Sequence, residues 1–229
     1  MKIEHNADMV KQFSEIMLKE YYSQSVTGRT GLHRSDAIAC PLKAYFRITK
    51  KIEAKYSSQD VGILLLGTLA HIALHKNFEA QEKVFTIADQ LYVTVDALYD
   101  KYPIETKTTR KKIYRKEDLP QSWLEQLAIA MSVMKVNTGY LMVMNIINYS
   151  VTVWEITMTE EEREMFLQNC IWQILSILDA IQKQKPEILT PKIDECKYCP
   201  YRPMRVREGC PFYVKPREDD NGNKGNNTH

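Results

Sequence analysis

Leu91-Tyr-Val-Thr-Val-Asp96-Ala-Leu-Tyr99, a short polar turn, and then Pro103-Ile-Glu105-Thr-Lys107-Thr-Thr109 is the stretch on which the fold depends. Val, Ile, Tyr and Thr dominate both runs and alternate with polar residues, as in strands with one buried face. The turn Asp100-Lys-Tyr102 is short enough to lay the runs side by side. Side chains two apart on a strand share a face, so Glu105 and Lys107 project together. Asp96 joins them if its strand pairs with theirs. Two carboxylates brought together repel, and one protonates unless a cation lies between them. A hard divalent ion, Mg2+ or Mn2+, is the natural occupant. Such an ion activates water and neutralises a phosphoryl transition state, while the lysine orients the water or holds charge. The same alternation also describes a solvated strand face.

Working outward, a run at Lys83 to Ala88 precedes these two and completes an antiparallel meander. Upstream, Val10, Phe13, Ile16, Met17 and Tyr21 predict a helix over the first ~25 residues. Gly28 and Gly31 bracket a loop. Ser35 and Asp36 are N-cap candidates for a short helix through Cys40 and Phe46, with Pro41 in its early turns. A greasier helix spans about Asp60 to Glu79 and carries His71 in Gly67-Thr-Leu-Ala-His71. A lone histidine there is either a satisfied core residue or a ligand. Downstream come a helix from about Pro120 to Val136, bearing Gln126, and strands Tyr140 to Ile147 and Val151 to Thr157. Thr159 with Glu162 forms a capping box for a helix to about Gln184, ended by Pro186 and Pro191. This order is that of an α/β protein with a mixed sheet flanked by helices. The expected division is 1–34, an N-terminal helix and loop; 35–192, the core, of which 35–59 also supplies a cysteine; 193–214, a cysteine-rich segment; and 215–229, a disordered tail.

Composition excludes some classes. The chain has 229 residues, 44% hydrophobic and 26% charged, which is ordinary for a folded globular protein and rules out a fibre or wholesale disorder. With 31 basic and 29 acidic residues the net charge is +2, so an argument for nucleic acid must rest on local clusters. The apolar run Ile63 to Leu74 is interrupted by Gly67, Thr68 and His71 and falls short of the ~20 residues a bilayer requires. The charged N-terminus lacks a signal-peptide core. The expectation is a cytoplasmic protein with no membrane segment.

Five cysteines in such a compartment point to metal binding, catalysis or burial rather than disulfides. Cys170 lies on the stripe Phe166, Cys170, Ile174, Ile177, Ile181 and is read as a packed thiol. Setting it aside leaves Cys40, the pair Cys196-Lys-Tyr-Cys199, and Cys210. Four thiols close a zinc site or an iron–sulfur cluster. Here they would clamp the two ends of the chain together.

As an ordered set these pieces resemble the CRISPR-associated RecB-like exonuclease family (Cas-four) of the PD-(D/E)xK nuclease superfamily. The likeness runs from about Ser35 to Tyr213. It comprises Cys40-Pro-Leu-Lys-Ala-Tyr-Phe46, Gly67-x-x-x-His71, Val95-Asp96-Ala-Leu, Ile104-Glu-Thr-Lys-Thr108, Gln126, Cys196-x-x-Cys199-Pro-Tyr and Cys210-Pro. The resemblance implies a restriction-endonuclease-like fold. It places His71, Asp96 and Glu105 on the divalent metal, makes Asp96, Glu105, Lys107 and Gln126 the catalytic set, and puts a [4Fe–4S] cluster on Cys40, Cys196, Cys199 and Cys210. It implies 5′ to 3′ digestion of single-stranded DNA and a part in spacer acquisition with the CRISPR integrase proteins. Homo-oligomerisation stays open. Phage, archaeal-virus and recombination nucleases share this core. Members often carry a tyrosine four residues after the glutamine; Ala130 stands there in this chain. From a different class, a metal-stapled nucleic-acid-binding adaptor with an idle site fits the same residues.

Arg110, Lys111, Lys112, Arg115 and Lys116, with Tyr114 among them, follow the Lys107 strand directly. They read either as a solvated loop or as a phosphate track with a stacking ring for single strands. Lys43, Arg47, Lys50 and Lys51 form a second candidate, and Lys197, Arg202, Arg205 and Arg207 a third.

Overall fold

The computed structural model describes residues 31–52, 54–75, 80–87, 91–203 and 209–215. The helix expected over the first ~25 residues and nearly all of the expected tail lie outside these ranges. In chain order the elements are β1 (Leu32–His33), α1 (Arg34–Ile38), α2 (Pro41–Thr49), α3 (Ser58–His75), β2 (Ala80–Ile87), β3 (Leu91–Tyr99), β4 (Tyr102–Thr109), α4 (Gln121–Val133), β5 (Thr138–Asn145), β6 (Val151–Thr157) and α5 (Glu160–Lys183). They form a mixed six-stranded sheet flanked by helices, the architecture expected from the sequence.

Strand pairing explains where a site can form. β2 runs antiparallel along almost all of β3, from Ala80↔Leu98 to Ile87↔Leu91. The opposite edge of β3 is shared by two short partners. β1 pairs in parallel at its start, Leu32↔Leu91 and His33↔Tyr92, and β4 pairs antiparallel at its end, Ala97↔Ile104 to Tyr99↔Tyr102. Beyond Ile104, β4 turns away and pairs in parallel with β5, through Ile104↔Tyr140 to Thr109↔Asn145. The two strands therefore splay beside Asp96. There the Thr106 N–H donates to Asp96 Oδ2 at 2.9 Å. β6 closes the sheet antiparallel to β5.

The parallel β4–β5 step is bridged by α4, which packs back onto the sheet. Leu127 and Met131 of α4 bury against Leu141 and Val143 of β5. The approach is so close that a Cβ on Gly139 would lie 2.9 Å from Leu127 Cδ1. A second core joins α1, α2, α4 and α5 to β3 through Ala37, Tyr45, Val93, Ile129, Ile174 and Ile177. Cys170 is buried within it, and burial pushes its thiol up to about 12, so it is a packing residue as the stripe implied. The Thr159–Glu162 capping box is present in both directions, at 2.8 and 3.2 Å, and α5 ends with Gln184 in the left-handed region.

Two expectations are corrected. The helix expected through Cys40 and Phe46 is two helices, with His33 rather than Ser35 or Asp36 at the first N-cap. Cys40 is extended (φ −61, ψ 120) because the residue before a proline is forced out of the α region, and Pro41 opens α2 at its first position. Leu32 and His33, assigned to an N-terminal loop, instead form a two-residue strand. A pair this short carries no periodicity to read. No helix among the described residues is long and apolar enough to cross a membrane.

A candidate active-site pocket

Where β3 and β4 part, a cavity of about 180 Å³ opens, and His71, Asp96, Glu105, Lys107 and Gln126 all line it. They arrive from α3, β3, β4 and α4. Glu105 and Lys107 share a face of β4 as their spacing required, with Lys107 Nζ 2.6 Å from Glu105 Oε1. The same ammonium donates to Gln126 Oε1 at 2.6 Å. His71 Nδ1 stands 4.0 Å from Asp96 Oδ2. His33, Ser35, Tyr92 and Thr94 complete the wall, with the His33 and Tyr92 ring centroids 5.4 Å apart.

The sequence reading missed one member. Arg34, the first residue of α1, is buried in the pocket. Its Nη2 donates to Glu105 Oε2 at 2.5 Å and lies 3.8 Å from Asp96 Oδ1. Its Nη1 donates to the Gln126 carbonyl at 2.5 Å. No spacing rule links residue 34 to residue 105. The only available signal was an arginine beside two cap-forming residues.

These contacts set the charges. Burial favours a protonated Glu105, but Arg34 and Lys107 outweigh it and hold this carboxyl below its ordinary range. Asp96 goes the other way. Burial first, and then the Glu105 charge, push it up to about 7, against Arg34, the Thr106 N–H and Lys107. One acid of the pair is thus firmly ionised and the other stands near neutrality, as expected for two crowded carboxylates. Among the described residues, no three His, Cys, Asp or Glu side chains are arranged to hold a metal ion as they stand. Within the acid pair, the guanidinium of Arg34 lies against both carboxylates.

The four remaining cysteines share a second cavity, although they too are not arranged to hold a metal ion as they stand. Cys40, Cys196, Cys199 and Cys210, all buried, line one cavity of about 10 Å³, the size of a single water. Cys40 sits between α1 and α2. Cys196 and Cys199 lie at the 3-10 turn Ile193–Tyr198 and its end. The Lys192 N–H reaches Cys40 Sγ at 3.5 Å, and Cys210 N–H donates to the Tyr201 carbonyl at 2.7 Å. Burial, with Cys40 and Cys196 nearby, pushes the Cys199 thiol up and that of Cys210 up to about 11. The four thiols thus line a gap between the start of α2 and the segment around residues 191–213.

Arg110, Lys111, Lys112, Tyr114 and Arg115 are exposed on the loop that leaves β4 at Thr109, two residues after Lys107. Lys112 Nζ lies 5.8 Å from the centre of the Tyr114 ring. Asp118 accepts from the Arg115 N–H at 3.2 Å, and Asn145 donates to the Lys111 carbonyl at 3.2 Å, so the loop is tied at both ends. In the second candidate track, Lys43 pairs with Glu195 and Arg47 with Asp36, which leaves less charge for a ligand. Most of the third lies outside the described side chains. Ala130 is buried on α4 and takes no part in the pocket.

Comparison with solved structures places the fold. The chain matches the crystal structure of SSO0001 with a TM-score of 0.56 and 18% identity, over 90% of this chain and 98% of that one. A slighter likeness, TM-score 0.41 and 12% identity over 74% of this chain and 97% of the other, is to an alkaline exonuclease (LHK-Exo) from Laribacter hongkongensis. No protein-family model and no curated protein sequence matches the chain. The first likeness defines a shared fold. Function has to be argued from the pocket.

Proposed function

We propose that the protein is a divalent-metal-dependent deoxyribonuclease that hydrolyses phosphodiesters of single-stranded DNA from an end, in the 5′ to 3′ sense its family resemblance implies. The observation that carries the reading is the meeting of Asp96, Glu105, Lys107, His71 and Gln126 in one cavity at the splay of β3 and β4. The donors suit Mn2+ or Mg2+: carboxylate oxygens from Asp96 and Glu105, with one imidazole nitrogen from His71. When bound, the ion supplies charge neutralisation and an acidified water. The protein's own groups do the rest. Gln126 Oε1 holds Lys107 Nζ in place beside Glu105, where the ammonium can orient a water and face developing negative charge. The basic loop after β4 leads the strand toward the pocket, with Tyr114 as a stacking face.

The thiol junction suits an iron–sulfur cluster, [4Fe–4S] by resemblance, since thiolates are the soft ligands such clusters require. Its role in this reading is structural, because it ties α2 to the C-terminal segment. A second reading, an adaptor with an idle nuclease site, is favoured by the Arg34 guanidinium lying against the acid pair. Digestion of end-labelled single-stranded DNA with Mn2+, by anaerobically purified wild type and Glu105→Ala, separates the two. Cleavage by wild type that E105A abolishes while still binding DNA supports the enzyme. No cleavage by wild type with Mn2+ or Mg2+ refutes it.

A further inference from the structure

We propose that Arg34 is the resident cation of the acid pair: it holds Glu105 and Asp96 in place and competes with the divalent ion, so that it sets the metal affinity of the site. This rests on the nuclease reading of the pocket. A buried carboxylate needs positive charge or protonation, and two side by side need more. Lys107 Nζ pairs with Glu105 at 2.6 Å, whereas Arg34 Nη2 lies 2.5 Å from Glu105 and 3.8 Å from Asp96. The planar guanidinium fixes a second direction: while Nη2 faces the acid pair, Nη1 points to the Gln126 carbonyl.

The two contacts differ. The one to Glu105 is a short charge-assisted hydrogen bond, while the one to Asp96 is longer than a hydrogen bond. Asp96 is therefore the acid Arg34 gives up more easily. A third contact, from Nη1 to the Gln126 carbonyl, needs neither carboxylate and keeps Arg34 in the pocket when charge there changes hands. A unit positive charge this close to the donors works directly against a second cation, and the effect is strong in a poorly solvated cavity. Arg34 is thus a positioning residue whose removal exchanges stability for metal affinity.

The test is calorimetric Mn2+ titration of the full chain as wild type, Arg34→Gln, Arg34→Lys and Glu105→Ala. R34Q should bind Mn2+ at least about tenfold tighter than wild type, and R34K, which keeps the charge, should stay nearer to wild type. Affinity of R34Q equal to or weaker than wild type overturns the proposal, as does equal tightening in R34K. E105A tells this failure apart from failure of the nuclease reading. If E105A binds Mn2+ as wild type does, the ion is not in this pocket and both fall. If E105A loses binding and R34Q gains nothing, only the Arg34 role falls. Should R34Q be unstable, its thermal unfolding with and without Mn2+ decides: the ion should restore Tm, with a larger gain than in wild type, and an R34Q that Mn2+ does not restore overturns the proposal.

Discussion

Glu105→Gln removes one charge from the centre of the pocket while keeping the volume of the side chain. In the wild type this carboxylate is 2% exposed and accepts from Arg34 at 2.5 Å and Lys107 at 2.6 Å. Removing one partner of a buried pair costs about 3–5 kcal/mol, because the charge left behind is uncompensated. Two cations are left here, yet both keep some support. Lys107 is 20% exposed and retains Gln126 Oε1; Arg34 retains the Gln126 carbonyl and the nearby Asp96. The loss should fall at the lower end, about 3 kcal/mol. For a chain of this length that is roughly 6–12 °C in Tm. Thermal and denaturant unfolding of metal-free protein measure it. An R34Q/E105Q double-mutant cycle should show a coupling of about 1–3 kcal/mol. A loss below about 1 kcal/mol for E105Q, or additive losses in the cycle, would mean that these contacts carry little energy and that the electrostatic account of the pocket is wrong.

Further outcomes follow from the same contacts. Asp96 holds its proton in the folded state up to about 7 against an ordinary 3.8, so between those values the folded protein binds more protons than the unfolded one. Metal-free stability, taken as wild type minus Asp96→Asn, should therefore fall as pH rises from about 5 to 7.5; a flat or rising difference would contradict the assignment. Neutralising Arg110, Lys111 and Lys112 together should lower the slope of log affinity for single-stranded DNA against log salt by about 2, and an unchanged slope removes the track. Cys196→Ser should give colourless, poorly soluble protein when purified anaerobically; a soluble variant that retained its metal would count against the clamp.

Much of the strand content was legible because it obeys local rules. Leu91–Tyr99 and Val151–Thr157 match their expected bounds to the residue, since β-branched and aromatic side chains alternate cleanly and polar turns end them. The α5 start was legible from Thr159 and Glu162, whose two hydrogen bonds span only three positions. The break at Cys40 is also locally encoded, because Pro41 excludes the α region for the residue before it, although an early-turn proline of one continuous helix satisfies the same sequence. β1 offered no such opportunity. Its two residues are held by Leu91 and Tyr92, about sixty positions away, and nothing within the dipeptide encodes that pairing.

The amino-acid order alone determined that Glu105 and Lys107 face the same way, that Cys170 is core, and which acids, histidine and thiols are candidates for chemistry. These are properties of strand pleat, helix period and donor type, all of which act over a few residues. Only the folded chain decided that β4 leaves β3 after Ile104, that the resulting gap admits Asp96, and that Arg34 enters it to bind an acid 71 positions away. Such contacts depend on the packing of distant segments, and a buried guanidinium is stable only where acceptors from several elements already converge. No local pattern announces that convergence.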